Sequence, residues 1–317
     1  MTTRRNLLSG VLVLAALAIT PALAQDKPTE IRIGTQKGGF FPAVRQRHSV
    51  EDAFKPLGIE IKWIDFQFGP PLLEAINVGS VDFGYVGDSP PIFAQAGSAR
   101  IRYVAAVKSD GNTQAIVVPQ DSPIKTLADL KGKKIGVAKG SSAHNLLVSA
   151  LESENIAWTD IEPVYLAPAD AASAFSRGAI DAWSIWDPFY AIAELKQKAR
   201  ALPIDPKATV QNSFFLANRD FLAKHADVVA DVNEEIAKAT TWAGDHRDEV
   251  AALFAEASGV DLAAQKRAVD RAEFSFGPLT DAVIAQQQAV ADRFQRLGLI
   301  PAPIVVRDIV WFWKQSA

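Results

Sequence analysis

The 317-residue chain has no cysteine, one methionine, four histidines and no basic excess, with 33 lysines and arginines against 36 aspartates and glutamates. Without cysteine there can be no disulfide, no thiolate metal site, no cysteine nucleophile and no lipid attached through an N-terminal cysteine. A chain of this size buries enough apolar surface to fold without covalent staples. The histidines, His48, His144, His225 and His246, are scattered without metal-ligand spacing, so neither a metal nor a cofactor is expected. The sequence contains no Walker-type Gly-Lys-Ser/Thr run and no identifiable serine–histidine–carboxylate set. Near charge balance leaves no global field for nucleic acid or an acidic membrane. An anion bound here has to be held by local donors.

Long apolar runs are also scarce. The one at residues 7–19 follows Arg4 and Arg5 and ends in Ala22-Leu23-Ala24, the pattern of a cleavable export signal with cleavage before Gln25. A membrane span needs about 18 to 20 apolar residues, and this run is shorter and is followed by Pro21. Removing residues 1–24 takes two arginines and no acids and leaves a net charge of −5. The expected product is a monomer free in the periplasm, without a lipid anchor.

The sequence also repeats itself. Ile33-Gly34-Thr35-Gln36-Lys37-Gly38-Gly39 returns as Ile135-Gly136-Val137-Ala138-Lys139-Gly140-Ser141, and Gly79-Ser80-Val81-Asp82 through Asp88 returns as Gly178-Ala179-Ile180-Asp181 through Asp187. Both echoes lie about a hundred residues apart, which predicts two similar units in tandem. Within each unit short apolar runs alternate with helical stretches, the signature of mostly parallel sheets flanked by helices. From about Asp220 the periodicity becomes wholly helical, at residues 227–245, 262–271 and 280–297, and this tail is expected to pack on the first lobe. With crossovers at residues 107–113 and 210–216, lobe 1 comprises residues 25–113 and 216–317, and lobe 2 residues 114–215.

In open parallel sheets ligands sit beyond the carboxyl ends of the strands. Four loops qualify: residues 36–39, the turn from Gly87 through Asp88 and Ser89, the turn from Lys139 through Ser141 and Ser142, and Trp186-Asp187-Pro188. Each leads toward a helix start, where unpaired N–H groups and the positive dipole end favour an anion. Candidate ligand contacts are Gln36, Gly38, Gly39, Asp88, Ser89, Ser141, Ser142, His144, Asn145, Trp186 and Asp187. A carboxylate beside an anion repels it, so Asp88 and Asp187 are expected to organise their loops by accepting backbone N–H groups, with contact to a ligand's amino group as the alternative.

Taken together, Gln36-Lys37-Gly38-Gly39, residues 73–84, Gly87-Asp88-Ser89-Pro90-Pro91, Ser122-Pro123-Ile124-Lys125, residues 139–145 and residues 181–188 resemble the aliphatic-sulfonate substrate-binding proteins of ABC importers. The likeness spans nearly the whole mature chain, including Gln286-Gln287-Gln288 and Gly298-Leu299-Ile300-Pro301. It implies a two-lobed periplasmic binding protein fold of type II, capture of an organic sulfonate by domain closure, and delivery to a permease driven by a separate ATPase. The chain departs from that pattern at Phe40, Phe41, Pro42 and Phe68, where relatives carry aliphatic or smaller residues. Phe40, Phe41, Phe68 and Trp183 are therefore expected to form a tail pocket suited to flat or short ligands. Within the same superfamily taurine, nitrate or a pyrimidine precursor is the alternative cargo, and an exported hydrolase of sulfonate or phosphate esters is the alternative of a different class.

Overall fold

The computed structural model describes residues 27–36 and 41–314. The export signal and the expected contacts Gly38, Gly39 and Phe40 lie outside the described residues. Ten strands form two five-stranded sheets: β1 Glu30–Gln36, β2 Glu60–Phe66, β3 Phe83–Gly87, β4 Ile101–Ser109, β5 Gln114–Pro119, β6 Lys134–Val137, β7 Glu162–Tyr165, β8 Ala182–Trp186, β9 Ala199–Ala201 and β10 Gln211–Asn218. The first sheet has the order β2-β1-β3-β10-β4 and the second β7-β6-β8-β5-β9. In each, four strands run in one sense and a single strand is reversed: β10 is antiparallel to β3 and β4, and β5 to β8 and β9. The reversed strand is in both cases the one by which the chain arrives from the other lobe.

The return crossing comes earlier than the expected boundary at residue 215. Strand β10 already begins at Gln211 in the first sheet, so residues 202–210 make the crossing and the whole of β10 belongs to lobe 1. The outward crossing is residues 110–113, and the Thr209 hydroxyl donates to the Asp110 carbonyl at 3.2 Å, tying the two together.

Both faces of each sheet are covered, so the central strands are apolar on both sides. Alternation along β10 sends Phe215 and Ala217 into one core with Ile31, Ile33 and Phe83, and Phe214 and Leu216 into another with Val86 and Tyr103. Strand β5 divides Ala115 and Val117 from Ile116 and Val118 in the same manner. The helical tail supplies cover to lobe 1. Helix Ala226–Asp245 buries Val228, Val232 and Ile236 on the Phe215 face, and helix Asp281–Arg296 buries Val283, Ile284, Val290 and Phe294 on the Phe214 face. Those residues recur at helical spacing, and Thr280 caps the second helix by accepting from Val283 N–H at 3.3 Å. The tail holds two helices more than its periodicity predicts, the short Arg219–Lys224 and Arg247–Ser258, the latter with an alanine-rich sequence that gives only a faint apolar stripe.

Each sequence echo marks the same structural device. Asp82, 3% exposed, precedes β3 and accepts from Arg32 of β1 through the backbone N–H at 2.8 Å, Nε at 2.9 Å and Nη2 at 2.6 Å. Asp181 precedes β8 and accepts from Lys134 N–H of β6 at 2.8 Å. An aspartate thus fixes the start of the inner strand pair in both lobes. Glycine has its own part at Gly84, where an added Cβ would lie 2.6 Å from Leu72 Cδ2, so helix Gly69–Asn77 can rest directly on the sheet.

Replacing Asp82 by Ala leaves a buried N–H and a part-buried guanidinium without an acceptor and is expected to cost about 3 kcal/mol. Asp181→Ala, at an exposed position, is expected to cost about 1 kcal/mol. Urea unfolding of the two variants checks the ranking; equal losses would show that the device does not depend on burial.

The interlobe cleft as candidate functional site

Because the strands of each sheet end toward the crossings, the carboxyl ends of β1, β3 and β8 meet the beginnings of β5 and β10. The cavity between the lobes, about 150 Å³, is lined there by Gln36, Tyr85, Gly87, Ser142, Trp186 and Asp187, together with Gln114 and Ser213 from the two reversed strands. Its far end is formed by the tail helices and the segment after them, including Phe254, Ala268, Val269, Glu273 and Phe274. Among the described residues that line it there is no lysine, arginine or histidine.

Of the expected contacts within the described residues, Gln36, Ser141, Ser142, Trp186 and Asp187 line the cavity. Their hydrogen bonds sort them further. Gln36 Nε2 donates to the Tyr85 carbonyl at 2.6 Å, and the Ser141 hydroxyl donates to the Ala138 carbonyl at 2.7 Å. Ser142 begins helix Ser142–Ser153, presenting its hydroxyl and a helix N-terminus to the cavity. Gly87 lies opposite: a Cβ there would stand 2.6 Å from Ser142 Cβ, so only glycine lets the two lobes meet this closely.

Asp88, Ser89, His144 and Asn145 are not among the residues that line the cavity and are engaged within the protein. Asp88, 1% exposed, accepts from the Ser89 hydroxyl at 3.0 Å and from Asn145 Nδ2 across the lobe boundary at 2.6 Å. Asn145 in turn accepts from Arg293 of the tail at 2.8 Å. Burial pushes the Asp88 carboxyl up to about 6, opposed by the bonds from Asn145 and Ser89. His144 is fully buried among Phe93, Trp158, Tyr165 and Phe294. Its Nδ1 accepts from Gly140 N–H at 3.2 Å, which places the proton on Nε2.

The described residues of the expected tail pocket, Phe41, Phe68 and Trp183, are likewise not among those that line the cavity. Phe41 sits in the lobe 1 core with its ring edge-on to Phe215 at 5.3 Å and Trp63 at 5.5 Å, and Trp183 is buried against Phe175 in lobe 2. Phe68 is half-buried ahead of helix Gly69–Asn77 and is not among the residues that line the cavity. Apolar cover in the cleft comes instead from Trp186, Val107, Phe254, Ala268, Val269 and Phe274. Aromatics on strands served the core, and the cleft wall was drawn from a tail whose position in space no local pattern announces.

Asp187 answers the repulsion problem in the structural way. Its carboxylate accepts from Ala191 N–H at 3.0 Å at the start of helix Phe189–Lys196 and faces Arg271 of the tail at 3.5 Å. Burial pushes it up to about 6, against the lowering effects of Arg271 and Ala191. Arg271 also pairs with Glu194 and stacks 3.9 Å over the Tyr190 ring, so tail and lobe 2 are clasped on this flank. On the opposite flank Arg293 pairs with Glu152 at 2.7 Å. The two proline pairs, Pro70-Pro71 and Pro90-Pro91, remove N–H groups from the first turns of the lobe 1 helices, so those helix starts offer fewer donors than the sequence reading expected.

Burial, with a smaller contribution from Lys139, pushes His144 down from 6.5 to about 4. Between those values the unfolded chain takes up a proton that the folded chain refuses, so this contribution is present above pH 6.5 and is lost as pH falls toward 4, up to about 3 kcal/mol. Asp88 and Asp187, raised from 3.8, work with the opposite sign: their contribution is present below 3.8 and lost as pH rises through about 6. The difference between wild type and His144→Phe isolates the histidine. The variant's disadvantage at pH 7 should shrink steadily by pH 4.5 in urea melts, and a pH-independent difference would contradict the assignment.

The family described as NMT1/THI5 like matches residues 54–250. The aliphatic sulfonates-binding protein of Escherichia coli strain K12 is 38% identical over 305 residues, covering 96% of this chain and 94% of that protein. The alkanesulfonate-binding protein SsuA from Xanthomonas axonopodis pv. citri, solved bound to MOPS, superposes with a TM-score of 0.86 at 38% identity, over 90% of this chain and 99% of that one. The periplasmic aliphatic sulphonate binding protein SsuA from Escherichia coli gives 0.82 at 37% identity, over 92% and 94%. With its two mixed sheets, its interlobe cavity and these matches along nearly its whole length, the chain belongs to the NMT1/THI5-like family, among the aliphatic sulfonate-binding proteins.

Proposed function

We propose that this chain is a periplasmic solute-binding protein that captures a small organic sulfonate between its lobes and delivers it to the permease of an ABC importer. It is a binding protein and not an enzyme, as are its relatives at 37% and 38% identity. The observation that carries the reading is the cleft itself: a space of about 150 Å³ walled by both lobes, with a helix N-terminus and hydroxyls and, among the described residues that line it, no basic side chain. A cavity of about this volume accommodates a benzene-sized group.

A sulfonate stays ionised at every physiological pH and has three acceptor oxygens and no proton. Its binding site therefore needs donors and a favourable dipole, without an acid or base. Ser142 at its helix start supplies both, and Trp186 and the apolar far wall suit a short organic tail. Contacts from both lobes bind the closed arrangement better than the open one, and that difference drives closure. The paired crossings at residues 110–113 and 202–210 are the segments about which the lobes turn.

Saturation with a short alkanesulfonate at about 100 Kd is expected to stabilise the folded state by about 2.7 kcal/mol and raise the melting temperature by roughly 5 to 10 °C. Nitrate and sulfate should give less, and mass spectrometry should recover the sulfonate intact. A response to nitrate alone would redirect the cargo, and turnover would refute a binding role. Gly87→Ala is expected to weaken sulfonate binding at least about tenfold, because its methyl group meets Ser142 only when the lobes close. The free variant, whose lobes can part, should melt within about 2 °C of wild type. Unchanged affinity in calorimetry would show that closure does not bring these residues together.

A further inference from the structure

One side chain in the cleft is not explained by an anion alone. Gln114 is the first residue of β5, facing Trp186 across the strand pair, and its counterpart in lobe 1 is Ser213, which faces Gly87. Ser213 is engaged by a side-chain hydrogen bond with Tyr85. Gln114 is only 6% exposed and lines the cleft, yet among the described residues neither its Nε2 nor its Oε1 has a hydrogen-bond partner. Two other amides of the lining are committed at the nitrogen: Gln36 Nε2 to the Tyr85 carbonyl, and Gln265 Nε2 to Ser258 Oγ at 2.9 Å.

A buried primary amide with both ends unpaired is costly, and the cost falls only when something satisfies both. A sulfonate oxygen accepts from Nε2. It cannot satisfy Oε1, because a sulfonate has no hydrogen to donate. Asp187 is engaged by Arg271 and Ala191, and Glu273 by Asp110, so among the buried acceptors of the described lining it is Gln114 Oε1 that stands unmet, and a plain alkanesulfonate offers it no donor.

We propose that the cleft selects sulfonates that also carry an N–H or O–H donor, a hydroxyl or an ammonium on the tail, and that Gln114 is the residue that reads this donor. This rests on the sulfonate reading and narrows it to a ligand class. A site that presents a buried acceptor discriminates strongly against an analogue lacking the matching donor, because the acceptor is then left unpaired. A methyl group in the donor's place strands Oε1 without water.

Calorimetry with 2-hydroxyethanesulfonate and propane-1-sulfonate, which differ by a hydroxyl against a methyl group, tests the proposal on the mature chain. Wild type is expected to bind the hydroxy compound at least about tenfold more tightly. Gln114→Met should bring the two ligands to within about threefold of each other, while the free variant melts no lower than wild type, since the substitution removes a buried amide without partners. Equal affinity of wild type for both ligands would overturn the donor selection and leave the sulfonate reading standing. A preference that survives in Gln114→Met would overturn the assignment to Gln114. Binding of neither compound, nor of any other sulfonate, would remove the underlying reading along with this one. Should the variant fail to fold, the wild-type ratio and the same pair measured on Gln114→Leu decide.

Discussion

The strand-borne residues of the cleft owe their places to one topological constraint: each sheet contains a single strand that runs against the others and comes from the opposite lobe. Strands of one sense deliver their carboxyl ends, and the loops that follow, to the same edge of a sheet. A strand inserted from that edge has to be antiparallel, and its first residues enter among those loops. Strands β5 and β10 do this in the two lobes, which puts Gln114 beside Trp186 and Ser213 beside Gly87. Cleft, crossings and the pseudo-symmetric wall all follow from these insertions.

The second constraint is electrostatic. A pocket for a permanent anion in a protein of negative net charge has to suppress its own carboxylates. Asp187 is suppressed by a helix N-terminus and Arg271, and Asp88 by Asn145, Ser89 and burial away from the cavity. The arginines that do this work stand behind the wall, and the donors among the described lining residues are neutral. Such a lining binds without forming a tight ion pair, which suits a protein that has to release its cargo.

The sequence displayed the fold more clearly than the site, for a physical reason. The echoes at Ile33 and Ile135, and at Asp82 and Asp181, survive because the inner strand pair and its aspartate anchor solve the same local problem in each lobe. Strand limits such as Lys134–Val137 and the helix Leu262–Arg271 follow directly from periodicity. Side-chain direction was another matter. Ser142 and His144 are two residues apart at one helix start, and the turn of the helix sends the first to the cleft and the second into an aromatic core. The sequence places Ser213 in a crossing and Gln114 at the first position of lobe 2 without singling out either, and their meeting with Trp186 and Gly87 is a matter of register between segments far apart in the chain. Phe254 and Phe274 reach the cavity only through the packing of the tail.

The flanking clasps bear on how closure is balanced. Arg271 with Glu194 and Asp187 on one side, and Arg293 with Glu152 and Asn145 on the other, both join the tail to lobe 2. These groups are half-buried or better, yet ion pairs of this exposure are worth only about 1 kcal/mol each after desolvation and side-chain ordering. Against that stands the unpaired Gln114 amide, a penalty of similar size that the closed cleft carries until a ligand meets it. Clasps and penalty therefore oppose one another, and a few kcal/mol of ligand contacts add to the balance between open and closed lobes. A stronger clasp would close the protein without cargo, and a better-satisfied cleft would do the same.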